Sequence, residues 1–175
     1  MRRKGIVSLL AVALLAVGAQ GASAQFKFGP RAAFGTDYDF AIGGMATLGF
    51  NTVLFEGAGP LTGALAFDYF LDCPFDENVF GNDYSCSFFE IAPTAFIPFT
   101  ENLYAGAGLN FARFSADVDT GFGDFGGSSS DIGLAIHGGY MFPLGGMTGM
   151  ADARFALGGS EQLVLAFALL FGGSN

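Results

Sequence analysis

The stretch SFFEIAPTAFIPFTENLYAGAGLNF, residues 87–111, decides the fold. It reads as two antiparallel strands joined across residues 98–102, a proline-marked connection with polar residues. In the first strand Phe89, Ile91, Pro93, Ala95, Ile97 and Phe99 share one face, opposite Phe88, Glu90, Ala92, Thr94, Phe96 and Pro98. In the second, Leu103, Ala105, Ala107, Leu109 and Phe111 alternate with Tyr104, Gly106, Gly108, Asn110 and Ala112. A period of two is the mark of a strand with two different faces, but it occurs in soluble sheets as well. The rest of the chain chooses between the two environments.

The 175 residues open with Arg2, Arg3 and Lys4, followed by an apolar run over residues 6–19 and the small residues Ala22-Ser23-Ala24. Residues 1–24 therefore read as a cleaved signal peptide, since about 14 apolar residues fall short of the roughly 20 that span a bilayer as a helix. Residues 25–175 form one barrel domain on this reading. Lys27, Arg31, Arg113 and Arg154 then stand against sixteen acids. The resulting charge of about −12 excludes nucleic acid as a partner, because no basic patch could neutralise phosphates. Yet 51% of the chain is hydrophobic. Acidic and apolar together fit a protein whose apolar face meets lipid and whose acids sit in loops.

Beyond residue 25 the longest apolar run, residues 163–171, is too short to cross as a helix and long enough to cross as a tilted strand. Lipid cannot satisfy backbone polar groups, which leaves a closed barrel as the spanning solution. Eight segments separated by turn composition can be laid out: residues 25–35, 40–55, 61–71, the two strands of the opening hairpin, 131–142, 147–157 and 163–171. Bulky residues follow one face, while the other carries Gly, Ala, Ser, Thr and the charges. A soluble ligand-binding barrel would reverse that polarity. The expected fold is all-β, an eight-stranded antiparallel up-and-down transmembrane barrel, whose narrow interior side chains can fill. With the amino terminus in the periplasm, residues 72–86 and 115–130 become long external loops, and EGAGP (56–60), PFTEN (98–102) and PLGG (143–146) short inner turns. That asymmetry is usual in bacterial outer-membrane barrels.

With the leader, FEIAPTAFIPFTENLYAGAGLNF (89–111) and GLAIHGGYMFPL (133–144) in view, the chain resembles small outer-membrane β-barrel proteins of the OmpA/OmpX-like type. The resemblance implies an outer-membrane location, contact with membrane lipids and lipopolysaccharide, and insertion by the outer-membrane assembly machinery.

Several residue sets could carry chemistry. Cys73 and Cys86 flank one loop of an exported chain, so a structural disulfide is expected, closing about 14 residues and worth roughly 3 kcal/mol in the chain-entropy model. Lys27, Arg31, Asp68, Glu90, Asp152 and Arg154 are expected to form ion pairs inside the lumen, because buried charges must be partnered. Asp117, Asp119 and Asp124 suggest a divalent-cation loop, although the bidentate Glu that closes an EF-hand is missing. With Asp72, Asp76, Glu77 and Asp83 they could draw divalent ions to the lipopolysaccharide surface. His137 sits mid-strand far from Ser128, Ser129 and Ser130, so no nucleophile has a base within reach. The function these features favour is non-enzymatic: a plugged barrel without cofactor whose external loops contact the surface, ions or lipopolysaccharide. A small porin or transport component is the second reading, and a lipid-modifying enzyme the third. Pro93 cannot donate to a ladder and is expected to mark a bulge.

Overall fold

The computed structural model describes residues 25–71, 83–120, 123–158 and 161–172; the leader and Cys73 lie outside them. Eight strands close into a barrel in sequence order: β1 Phe26–Gly35, β2 Asp39–Gly49, β3 Thr62–Phe70, β4 Asp83–Pro98, β5 Leu103–Thr120, β6 Gly123–Leu144, β7 Met147–Leu157 and β8 Leu163–Gly172. Every neighbouring pair is antiparallel, and β1 completes the ring against β8 from Lys27↔Gly172 to Gly35↔Val164. The expected fold class is observed. Among the described residues, no helix is long and apolar enough to cross a membrane.

Alternation sets the two faces as the sequence indicates. Phe28, Ile42, Leu65, Phe67, Ile136 and Phe155 point outward and exposed, whereas Arg31, Ala41, Ala66, Asp68, His137 and Arg154 are buried inside. The β6–β7 connection is held by Gly145 and Gly146, both at positive φ, as a two-residue hairpin turn between twisted strands requires.

Five expectations are corrected. β2 stops at Gly49 rather than running to residue 55. Alternation fails there, because Val53, Leu54 and Phe55 are three successive apolar residues and cannot all occupy one face. For the same reason residues 56–60 are only part of a longer connection over residues 50–61. Residues 115–120 and 123–130 are strand rather than loop: β5 and β6 stay paired from Arg113↔Ser130 out to Thr120↔Gly123. There the continuing ladder holds Gly- and Ser-rich segments that have little strand propensity of their own. On β4, likewise, the strand starts at Asp83, before the end of the expected loop 72–86.

Pro93 marks no bulge. It pairs with Leu65 of β3, and the β4–β5 register is the same at Ile91↔Phe111 and at Thr94↔Gly108 on either side of it. The missing donor is absorbed as a gap in the ladder, with no residue inserted. Gly108 permits the close approach: a Cβ there would collide with the Pro93 carbonyl oxygen.

Candidate functional site: the lumen side chains and the outlying sheet

The lumen is stacked in three layers. Its middle is ionic, and the register explains how. Arg31 on β1 lies opposite Gly43 on β2, Gly43 opposite Asp68 on β3, and Asp68 opposite Glu90 on β4. Four consecutive strands thus set one row across the inner wall. Arg31 reaches Asp68, Nε to Oδ1 at 2.8 Å, and Gly43 between them allows β2 its close approach to β3, since a Cβ there would collide with the Phe67 carbonyl oxygen. The neighbouring carboxylates of Asp68 and Glu90 would repel one another, and Arg154 of β7 answers from elsewhere on the wall. Its Nη2 donates to Asp68 Oδ2 at 3.1 Å and to Glu90 Oε2.

The remaining polar groups close around these charges. Arg31 also meets Asp152 Oδ2 at 3.5 Å. Asp152 Oδ1 accepts the Tyr104 hydroxyl at 2.6 Å and faces His137 Nδ1 at 3.1 Å. A carboxylate only accepts, so Nδ1 carries the proton in this contact. Glu90 Oε1 accepts from Asn110 at 3.1 Å and from Gln162 at 2.8 Å. Arg31, Asp68, Glu90, Asp152 and Arg154 are therefore brought together. Lys27 stands apart from them, its ammonium donating to Thr148 Oγ1 at 3.0 Å nearer the rim.

Apolar layers lie on both sides of the ionic one. Toward the end that bears the termini, Met45, Phe96, Tyr104, Met150 and Leu170 pack together. Toward the other end, Phe70, Phe88, Ala112 and Val164 pack with Tyr38, whose ring stacks on Phe88 at 3.7 Å between centroids. These layers are not apparent from the sequence, nor are the roles of Tyr104, Asn110 and Gln162. Period-two alternation places Tyr104 and Asn110 on the inner face, so part of the signal was there. Gln162 precedes its strand and had none.

Beyond the barrel, three strands outrun the rest. β3 leaves β4 at Phe70↔Phe88, and β7 leaves β6 at Leu134↔Leu157. β4, β5 and β6 nevertheless continue as a sheet to Asp83↔Asp119 and Thr120↔Gly123. Residues 123–133 of β6 extend over about 36 Å of strand at roughly 3.3 Å per residue. Asp117 lies opposite Gly126 and Asp119 opposite Asp124 near the tip. Among the described residues, no cluster of His, Cys, Asp or Glu could hold a metal ion.

The attachment invasion locus protein Ail of Yersinia pestis, solved in complex with the heparin analogue sucrose octasulfate, superposes with a TM-score of 0.53 over 86% of this chain and 97% of its own, at 16% identity. A major outer membrane protein from Thermus thermophilus does so with a TM-score of 0.56, over 86% and 100%, at 14% identity. The fold is that of the small outer-membrane β-barrels. At such identities the likeness extends to the fold alone. No protein-family model matches this outer-membrane-type barrel, and no curated protein does.

Proposed function

We propose that the chain is a non-enzymatic outer-membrane barrel with a plugged lumen, and that its contacts are made outside the bilayer by the sheet of β4, β5 and β6. The observation that carries this reading is the division of labour along those strands. Inside the barrel their inward side chains join ionic groups lying between two apolar layers, which supports a plug. Outside it they form a sheet whose outer strands, β4 and β6, pair with no further strand among the described residues, and a strand edge is a ready site for hydrogen-bonded partners.

The first neighbours of a sheet rising from the barrel rim are the headgroups and sugars of the surrounding leaflet. Lipopolysaccharide is therefore the partner we favour. The chain is acidic, so anionic headgroups need divalent cations as bridges; held mainly by the headgroups, such ions would take single carboxylates from Asp117, Asp119 or Asp124 rather than a protein cluster. The same charge argues against a polysulfated sugar of the kind bound by Ail, since Arg113 is the cation this sheet offers among the described residues. An enzymatic reading is disfavoured because His137 is buried in the middle layer, with Asp152 rather than a serine or cysteine beside it.

Backbone amide exchange in nanodiscs tests the contact. At residues 123–133, exchange is expected to slow several-fold when lipopolysaccharide and Ca²⁺ are both present, and to recover on adding chelator. Exchange that is the same with and without lipopolysaccharide would refute the contact. Steady single-channel conductance by the intact chain in planar bilayers would refute the plug.

A further inference from the structure

At the end bearing the termini, the β2–β3 connection differs from its two neighbours. The β6–β7 turn is made by Gly145 and Gly146, and β4 and β5 are joined by residues 99–102, but residues 50–61 separate β2 from β3. This longer segment exposes Val53 (55%), Leu54 (57%) and Phe55 (50%) in succession, and Phe99 (54%) is exposed on the adjacent turn. Contiguous exposed apolar side chains on a folded protein mark a contact surface.

We infer that residues 50–61 are a membrane-interface anchor, with Val53, Leu54, Phe55 and Phe99 inserted among the lipids of the leaflet at that end. Three observations support lipid as the occupant. The first is continuity with the outward apolar belt: just past the ends of β2 and β3, Phe50 N donates to Leu61 O at 2.8 Å, and the Phe50 ring lies over Gly63 on the outward face that also carries the exposed Leu65.

The second is height. The nine residues of β3, at about 3.4 Å each and tilted about 45°, cover roughly 22 Å, close to the ~25 Å apolar band of such barrels. The segment that leads into Thr62 therefore lies at the band's edge.

The third is that the segment is held against the barrel, its ends and its turn fixed by backbone hydrogen bonds. Leu61 N donates to Thr52 O at 2.8 Å, Ala58 N to Phe55 O at 3.2 Å, and Gly59 N to Pro98 O at 2.9 Å. The last bond ties the segment to the β4–β5 turn that carries Phe99. Glu56 and Glu101 are exposed beside the patch and can remain in the headgroup region.

The chain contains no tryptophan, so a single introduced indole reports its own surroundings. Leu54→Trp is compared with Phe67→Trp on the lipid belt and Ser129→Trp on the outlying sheet. Each is refolded into phosphatidylcholine vesicles with or without brominated acyl chains, and heat-modifiable gel migration verifies the barrel; Phe55→Trp replaces Leu54→Trp if the latter does not fold. At position 54, brominated lipid is expected to remove at least half as much emission as at position 67. Acrylamide in the aqueous phase is expected to remove less than half as much as at position 129. Quenching at position 54 by acrylamide as at 129, with none from brominated lipid, would overturn the anchor in favour of a water-facing segment. Quenching by neither agent would overturn it in favour of a protein cover.

Discussion

β4, β5 and β6 each pass through two regions governed by opposite rules. In the lumen, Glu90, Asn110 and His137 are nearly inaccessible and meet polar groups from other strands. Farther along the same strands, Ser128, Ser129, Ser130 and Asp131 are exposed. In the first region a polar side chain that loses its partner is left in a low-dielectric interior, whereas in the second water replaces it at once. The contrast teaches that stability depends on a few lumen residues, and that the outlying sheet can change its side chains at little cost.

The sharpest way to break that contrast is Arg154→Leu. It leaves Glu90 without its guanidinium and Asp68 with only Arg31, and losing one partner of a buried ion pair costs about 3–5 kcal/mol. Urea unfolding in lipid vesicles should show that loss, while Ser129→Ala stays within about 0.5 kcal/mol of the parent chain. Equal effects from the two substitutions would erase the distinction between the regions.

Phe88→Ala probes the apolar layer that separates them. The side chain is buried, stacked on Tyr38 and 5.1 Å from Phe70 between ring centroids. Removing a packed phenyl ring should cost about 3 kcal/mol. Planar-bilayer recording on this variant would also show whether opening that layer is enough to let ions through, or whether the ionic layer alone blocks them.

The smallest effect lies at the boundary between lumen and surface. Tyr38, in the β1–β2 turn, has its hydroxyl pKa raised by partial burial, then by Asp37 and, more weakly, by Glu90 and Asp131. Above the ordinary tyrosine pKa of about 10, the unfolded chain releases this proton before the folded one. The folded state then binds more protons, so stability present at neutral pH is lost as pH rises through the folded value. Unfolding midpoints measured on either side of pH 10 should fall less in Tyr38→Phe than in the parent chain.

The strand count, the two faces and the set of inward charges were legible because each rests on local alternation, which the chain states residue by residue. Arg31, Asp68, Glu90, Asp152 and Arg154 could be placed inside on that ground alone. Which of them meet could not, because Arg154 reaches Glu90 across a barrel that only closure defines. Inward Phe88 and Phe96 broke the pattern of small lumen residues, and their purpose is visible only when β-strand tilt brings Phe70 and Tyr38, or Tyr104 and Met150, to the same level. Residues 115–130 were misread for the opposite reason. Their composition is that of a loop, and their extended form comes from pairing with neighbours rather than from their own preferences. Pro93 misled because a missing donor has two remedies, an inserted residue or an empty rung, and only the partner strand reveals which is used.

The row Arg31–Gly43–Asp68–Glu90 also bears on how the molecule is made. Its charges are introduced by β1, β3 and β4, but the groups that complete them, Asp152, Arg154 and Gln162, arrive only near the end of the chain. A sheet threaded into the bilayer one strand at a time would hold Asp68 and Glu90 in hydrocarbon while Arg154 was still outside. Unpaired strand edges would add to that penalty. The low-energy route brings all eight strands to the membrane surface together and closes them in one concerted step, so that insertion and the pairing of the lumen charges are the same event.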